Sequence, residues 1–218
     1  MKHTKPAGLA LAVLLGLALL ANCDVNQLPD PAYTPTGVDL RLAMRELWSG
    51  DATWTQIYVA DAYGGEPDAA GVVLNRLMRN MDQIADRFKT YYGDDTAERL
   101  GTLLRNRVSE MSGLVAAAPL DDSTQSALAL DQWNANSDSL AGFLAGVNPH
   151  WKKETLVELF NKQVDLTGDE VIARRDKKFE ADIRGGDEMH LQVLRIADEL
   201  SRGIIQQFPT NFQYVKPH

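Results

Sequence analysis

Six polar residues at matched spacings are the part of this sequence that could do chemistry. Asp51, Arg107 and Gln163 follow one another at intervals of 56 residues, and the amides Asn80, Asn136 and Gln192 repeat the same interval. Each of the first three interrupts an apolar stripe. Leu47, Asp51 and Thr55 are four apart with Trp48 and Ala52 beside them; Arg107 lies among Leu103, Leu104 and Met111, and Gln163 among Leu159, Phe160 and Thr167. Residues three and four apart share one face of a helix, so the acid, the base and the amide are predicted to point inward with their apolar neighbours. Asn80 falls between Leu77 and Ile84, and Asn136 between Trp133 and Leu140, which places these amides at a similar depth. A buried charge without a partner costs several kcal/mol, so Asp51 and Arg107 are expected to pair, with the amides satisfying the remaining hydrogen-bonding groups. Two readings follow. The layer either fixes the register of similar helices, or it lines a pocket for a small polar or anionic ligand, with Arg107 as the anion contact and Trp48, Trp54 and Trp133 as apolar walls.

Other reactive patterns are sparse. A di-iron carboxylate bundle needs two E-x-x-H motifs, whereas this chain offers only Asp187-x-x-His190. Asp187, Glu188 and His190 are the metal or acid–base candidates. Of the remaining histidines, His3 is near the N-terminus, His218 is terminal and His150 stands beside Trp151 after a proline, a turn position. No nucleophile-elbow, P-loop or dinucleotide glycine pattern is present, so no cofactor is expected. The net charge is -8, with 22 basic residues, two of them (Lys2 and Lys5) in the N-terminal leader, against 30 acidic ones. Phosphate backbones are held by clustered Lys and Arg, and nucleic acid is therefore not an expected partner. The short basic run Arg174-Arg175 and Lys177-Lys178 reads as a solvated helix face.

The elements that must position the inward layer are helical. No run of alternating β-branched residues argues for a sheet, while apolar residues recur at helical spacing from Asp39 onward. Helices are predicted over 39–62, 68–91, 95–118, 122–147, from about Trp151, and to about Gln207, with breakers at Tyr63-Gly64-Gly65-Glu66-Pro67, Gly93, Pro119, Asn148-Pro149 and Pro209. Asp94 or Asp95 is the expected cap of the third helix and Asp122 or Ser123 of the fourth. Thr167-Gly168-Asp169 is expected to weaken or restart the fifth, and Gly185-Gly186 to kink or break the last. Ile84-Ala85, Leu140-Ala141 and Ile196-Ala197 match at the 56-residue interval, as do Phe88, Leu144 and Leu200. A fixed period with equivalent residues in both halves predicts a repeated αα-hairpin. The expected fold is an all-α bundle of about six helices in three hairpins, spanning 39–208 with a tail at 209–218.

Residues 1–22 carry a basic start and a 15-residue apolar run, Ala7 to Ala21. That is short for a membrane span of about 20 residues and suits a secretory signal. Leu20-Ala21-Asn22-Cys23 resembles a bacterial lipobox, in which the cysteine is acylated and becomes the first mature residue; Asn22 stands where Gly, Ala or Ser is usual, and the rival reading is an ordinary signal-peptidase site. Cys23 is the only cysteine, which excludes an internal disulfide. Residues 23–38, with Pro29, Pro31 and Pro35, read as an extended tether, which at roughly 3.1 Å per residue would hold the domain several tens of ångströms from the bilayer. Asp24 resembles the signal that retains lipoproteins at the inner membrane of two-membrane bacteria.

From about Leu40 to Phe208 the chain also resembles a family of uncharacterised bacterial helical proteins. The shared runs are Leu47-Trp48 with Thr53-Trp54, Tyr92-Gly93, Trp133 with Asn136, Asn148-Pro149 with Trp151, Asp182-Ile183, and Gly203-Ile204 with Gln207-Phe208-Pro209. The resemblance implies a helical bundle whose core commonly carries histidines where this chain has Asp51, Arg107 and Gln163; with those histidines replaced, a metal role implied by the family does not carry over. The functional expectation is an exported, membrane-anchored helical bundle acting as a small-ligand binding or interaction module at the cell envelope, with the bilayer as a partner through Cys23. The alternatives are a metal-binding protein or enzyme using the inward layer or the Asp187 and His190 group, and a purely structural envelope protein.

Overall fold

Thr34 starts the first helix, earlier than Asp39. Its Oγ1 accepts from the backbone N–H of Gly37 at 3.2 Å, and Pro35 occupies a first-turn position where a missing N–H costs nothing. A single 3-10 turn, Pro31–Tyr33, precedes it. In the computed structural model the described residues are 30–118 and 123–214; those from Pro31 onward belong to one compact unit. Residues 1–29, 119–122 and 215–218 are outside this description, and with them the leader, Cys23, the first part of the expected tether, the stop at Pro119, the cap at Asp122 and the end of the tail. The rest of that stretch, 30–38, is not an extended tether but holds the 3-10 turn and the start of the first helix, because Thr34 and Pro35 cap and open a helix there.

Six α-helices, α1 Pro35–Gly64, α2 Pro67–Tyr92, α3 Asp94–Ala117, α4 Ser123–Val147, α5 Lys153–Arg175 and α6 Phe179–Gln207, account for nearly all of the described chain. There is no strand among the described residues, and the fold is an all-α bundle. Each helix packs on the next in sequence, and α6 packs back on α1, closing a ring of antiparallel neighbours; α1 also touches α5. None of the described helices is long and apolar enough to cross a membrane. The starts of α1, α3 and α5 meet the ends of α2, α4 and α6 at one pole, and the reverse holds at the other.

The core sits inside the ring. Met44, Leu100 and Leu156 form one stratum, and Trp48, Leu104 and Phe160 the next, all 2% exposed or less. Val59, Val115 and Val171 lie buried toward the opposite pole. Full burial of each such side chain contributes about 1.5–3 kcal/mol, which is why the helical phase of these residues sets how the helices face one another.

Two expected breaks are absent. α5 runs unbroken through Thr167-Gly168-Asp169 and α6 through Gly185-Gly186. Packing explains this locally: a Cβ on Gly168 would meet Leu130 Cδ2 at 3.8 Å, and the Gln56 side chain lies across Gly186. The true boundary falls at Asp176 to Lys178, where Lys177 adopts φ 57°. The basic run expected as a helix face is therefore the last turn of α5 and its turn into α6, where cations complement the helix C-terminus. Gly93, at φ 80°, ends α2 and also stands at the N-cap of α3, with no side-chain cap from Asp94 or Asp95.

Candidate functional site

The inward layer is assembled where α1, α3, α4 and α5 approach the axis of the ring. Asp51, Arg107 and Gln163 are all buried, at 6%, 4% and 5% exposure. Arg107 Nη1 donates to Ser137 Oγ at 2.8 Å. Its Nη2 donates to the Phe160 carbonyl at 2.8 Å and to Gln163 Oε1 at 3.1 Å. Gln163 Nε2 in turn donates to Asp51 Oδ2 at 2.7 Å. The acid and the base are thus joined through the amide rather than in the direct ion pair expected from the sequence. An amide suits this position because it accepts at one end and donates at the other.

Aromatic rings enclose the guanidinium, with Trp133 and Phe160 centred 5.4 and 5.2 Å from Arg107 Cζ. Trp48 stacks on Phe160 from the side of α1, with centroids 6.3 Å apart. Trp54 is not a wall of this layer. It lies half-buried under the Arg76 guanidinium, 5.1 Å from ring centroid to Cζ. The Nε1 groups of Trp48 and Trp133 and Nε of Arg107 are buried without a partner. The cavity among these side chains leaves about 10 Å³ for a water-sized occupant, which is about one water and far less than a small organic ligand needs.

Burial dominates the electrostatics. It pushes the Asp51 carboxyl up to about 6, against the opposing pull of the Arg107 charge and the Gln163 hydrogen bond. It lowers Arg107 to about 10, with Asp51 acting the other way. Removing the two groups from water therefore outweighs what they regain from each other.

Asn80, Asn136 and Gln192 do not join the charged network. Asn80 Nδ2 donates to the Leu47 carbonyl at 2.9 Å, Asn136 Nδ2 to Leu103 at 3.0 Å and Gln192 Nε2 to Leu159 at 2.7 Å. Each amide clips the second helix of a hairpin to the backbone of the first across 33 residues. Gly50 permits one close approach, since a Cβ there would stand 2.9 Å from Asn80 Oδ1.

Ser137 is the group the sequence reasoning missed. It occupies, at the 56-residue interval, the place of Met81 and Val193, so its signal was a hydroxyl in an otherwise apolar column. Asp187, Glu188 and His190 are all exposed on α6, and among the described residues no three His, Cys, Asp or Glu side chains are placed to hold a metal ion. The metal and acid–base candidates are therefore not brought into a site.

Tyr92, Asn148, Trp151 and Gln207 converge at the pole formed by the end of α2, the turn after α4 and the end of α6. Tyr92 Oη accepts from Asn148 Nδ2 and donates to Gln207 Oε1, both at 2.9 Å. Gln207 Nε2 reaches the Val147 carbonyl at 3.3 Å, and Asn148 Oδ1 accepts from the His150 backbone at 2.8 Å. Trp151 donates through Nε1 to the Glu199 carbonyl at 3.2 Å and packs on Phe88 and Tyr92. These are clamps between hairpins, filled with aromatic carbon.

A hollow of about 310 Å³ near the other pole lies between α3, α4 and α5 and is lined by Leu114, Leu130, Val171 and Arg175 among others. None of the polar-layer residues lines it. Comparisons with protein-family models, with curated proteins and with solved structures give no match to this chain.

Proposed function

We propose that this chain is an exported interaction module of the cell envelope, held at the bilayer through acylated Cys23, on the periplasmic face of the inner membrane where the cell has two membranes. Within it, the inward polar layer keeps three hairpins in register. The single observation that supports this over a ligand pocket is the state of Arg107. Its Nη groups are taken by three protein acceptors and aromatic rings stand against it, with about 10 Å³ of free space in the layer. A guanidinium so enclosed has no room for a substrate or an effector. We also infer that the hairpins are copies of one 56-residue unit, a reading supported by the three amide clips, whose donors and acceptors advance together by that interval. The resemblance to bacterial helical proteins with core histidines fits a chain in which that layer has become structural.

The surface supports contact with another protein. Phe179, Ile183 and Leu191 are 53%, 59% and 56% exposed along α6 at spacings of four and eight, so they form an apolar stripe on its outer face that the exposed Asp187 interrupts. A photo-reactive side chain in place of Ile183 should give a discrete protein cross-link in the intact cell, absent when Leu191→Glu is added. The reading fails if Ile183 yields no discrete species while native mass spectrometry of the purified domain shows a small-molecule adduct removed by Arg107→Leu.

A further inference from the structure

At the pole opposite the aromatic clamps, Glu170 in the last turns of α5 stands one turn before Arg174, which reaches Asp182 in the first turns of α6. Glu170 and Asp182 are 1% and 3% exposed. Arg174 Nη1 donates to Asp182 Oδ2 at 2.7 Å, with the arginine side chain a quarter exposed. That single cation faces two buried carboxyl groups. Moreover, Glu170 Oε1 and Asp182 Oδ1 are both buried with no hydrogen-bond partner. Two ionised carboxylates can only accept, so neither can satisfy the other; one proton turns one of them into a donor and removes the uncompensated charge.

We propose that Glu170 is protonated in the native protein and shares its proton with Asp182, so that a carboxyl–carboxylate hydrogen bond fastens the end of α5 to the start of α6 and releases when the proton is lost. The pair is a proton-binding site distinct from the central layer, and it makes closure of the third hairpin sensitive to pH. Among the described residues, the charges that act on Glu170 are Asp182 from α6 and Arg174 from α5 itself. Arg174 is further occupied by the Phe179 ring, 5.5 Å away. From α1, Gln56 lies across Gly186 without charge. Tyr58 and Tyr63, the phenols of that half of α1, are held above their ordinary range by burial and stay neutral.

Burial first, and the Asp182 charge second, push Glu170 up to about 8, with Arg174 opposing. The folded protein therefore holds a proton that the unfolded chain releases near pH 4.5. The stabilisation is complete below that value and is lost as pH rises through about 8. Above it, a second negative charge beside Asp182 has only Arg174 to balance it, and the first turns of α6 are pushed from α5.

The test is a pH titration of the protein carrying carbon-13 at glutamate side-chain carboxyls, assigned by comparison with Glu170→Gln. One glutamate resonance, missing from the variant, should titrate near pH 8, well above the other glutamates. The urea midpoint of the wild type should fall from pH 6 to pH 9. That of Glu170→Gln, whose amide can donate to Asp182 at every pH, should stay level from pH 7 to pH 9, above the range in which Asp51 titrates. A Glu170 resonance that titrates between pH 4 and 5.5, or urea midpoints that fall in parallel, overturns the proposal. If Glu170→Gln does not fold, Glu170→Asp supplies the assignment and the wild-type titration decides.

Discussion

Gln163 carries more of the central layer than either charge beside it. Its Oε1 accepts from Arg107 and its Nε2 donates to Asp51, so losing the amide strands an acid and a base together. Asp51→Ala should destabilise by about 3 kcal/mol, because Arg107 stays buried with its acid removed. Gln163→Leu should cost at least as much, and the joint replacement Asp51→Leu with Arg107→Leu should cost less than the two single changes added, as read from urea midpoints in a double-mutant cycle. Additive, mild effects would show that the network is not coupled. The raised Asp51 carboxyl adds a pH signature. Its folded value of about 6 lies above the ordinary 3.8, so its share of stability is complete below about 4 and lost as pH rises through about 6. Asp51→Asn should lessen the fall in urea midpoint between pH 4 and pH 6, leaving the part that Glu170 contributes. At this scale the helical phase in the sequence was enough to turn Asp51, Arg107 and Gln163 inward. It could not say that the amide would stand between the charges, because side-chain reach and the relative height of α1, α3 and α5 decide which atoms meet.

Glycines separate what a helix wants from what its neighbours demand. Where a Cβ would go, Gly185 has open space, Gly186 has the flexible end of Gln56, and Gly203 has the indole of Trp151. Gly185→Ala should therefore stabilise α6 by up to about 1 kcal/mol, the ordinary helix-propensity difference. Gly203→Ala should destabilise by about 3 kcal/mol, since the clamp at Trp151 is buried and cannot yield cheaply. Thermal unfolding would move in opposite directions for the two variants; equal shifts would show that propensity alone governs both sites. Gly186→Ala should lie between them, because Gln56 can swing aside. The sequence offered Gly185-Gly186 as a break and Gly203 only as part of a shared run, and both readings fall short for one cause. A glycine is read locally as weakness, but its effect depends on which helix crosses it.

On the scale of the molecule, closure of α6 onto α1 is what makes the stripe of Phe179, Ile183 and Leu191 an outer face. Ile183→Glu with Leu191→Glu should leave the thermal midpoint within about 2 °C, as surface changes do, while abolishing cross-linking in the cell. Loss of folding instead would mean that the stripe is core. For the envelope reading, labelled palmitate should enter the wild type and not Cys23→Ser, and the variant should leave the membrane fraction. Labelling of neither protein would remove the anchor.

Helix content, near-correct ends for most helices and the inward phase of the polar residues were determined by the sequence itself, because they depend on periodicity, prolines and caps acting over a few residues. The tertiary structure decided the Gln163 bridge, the filling of the layer, the continuity of α5 and α6, and the reach of Arg174, one turn after Glu170, to Asp182. Those depend on distances between helices far apart in the chain, which no local pattern encodes. The 56-residue interval is visible in the sequence as matched residue types; that Asn80, Asn136 and Gln192 on α2, α4 and α6 each reach a carbonyl on the preceding helix is seen only in the structure.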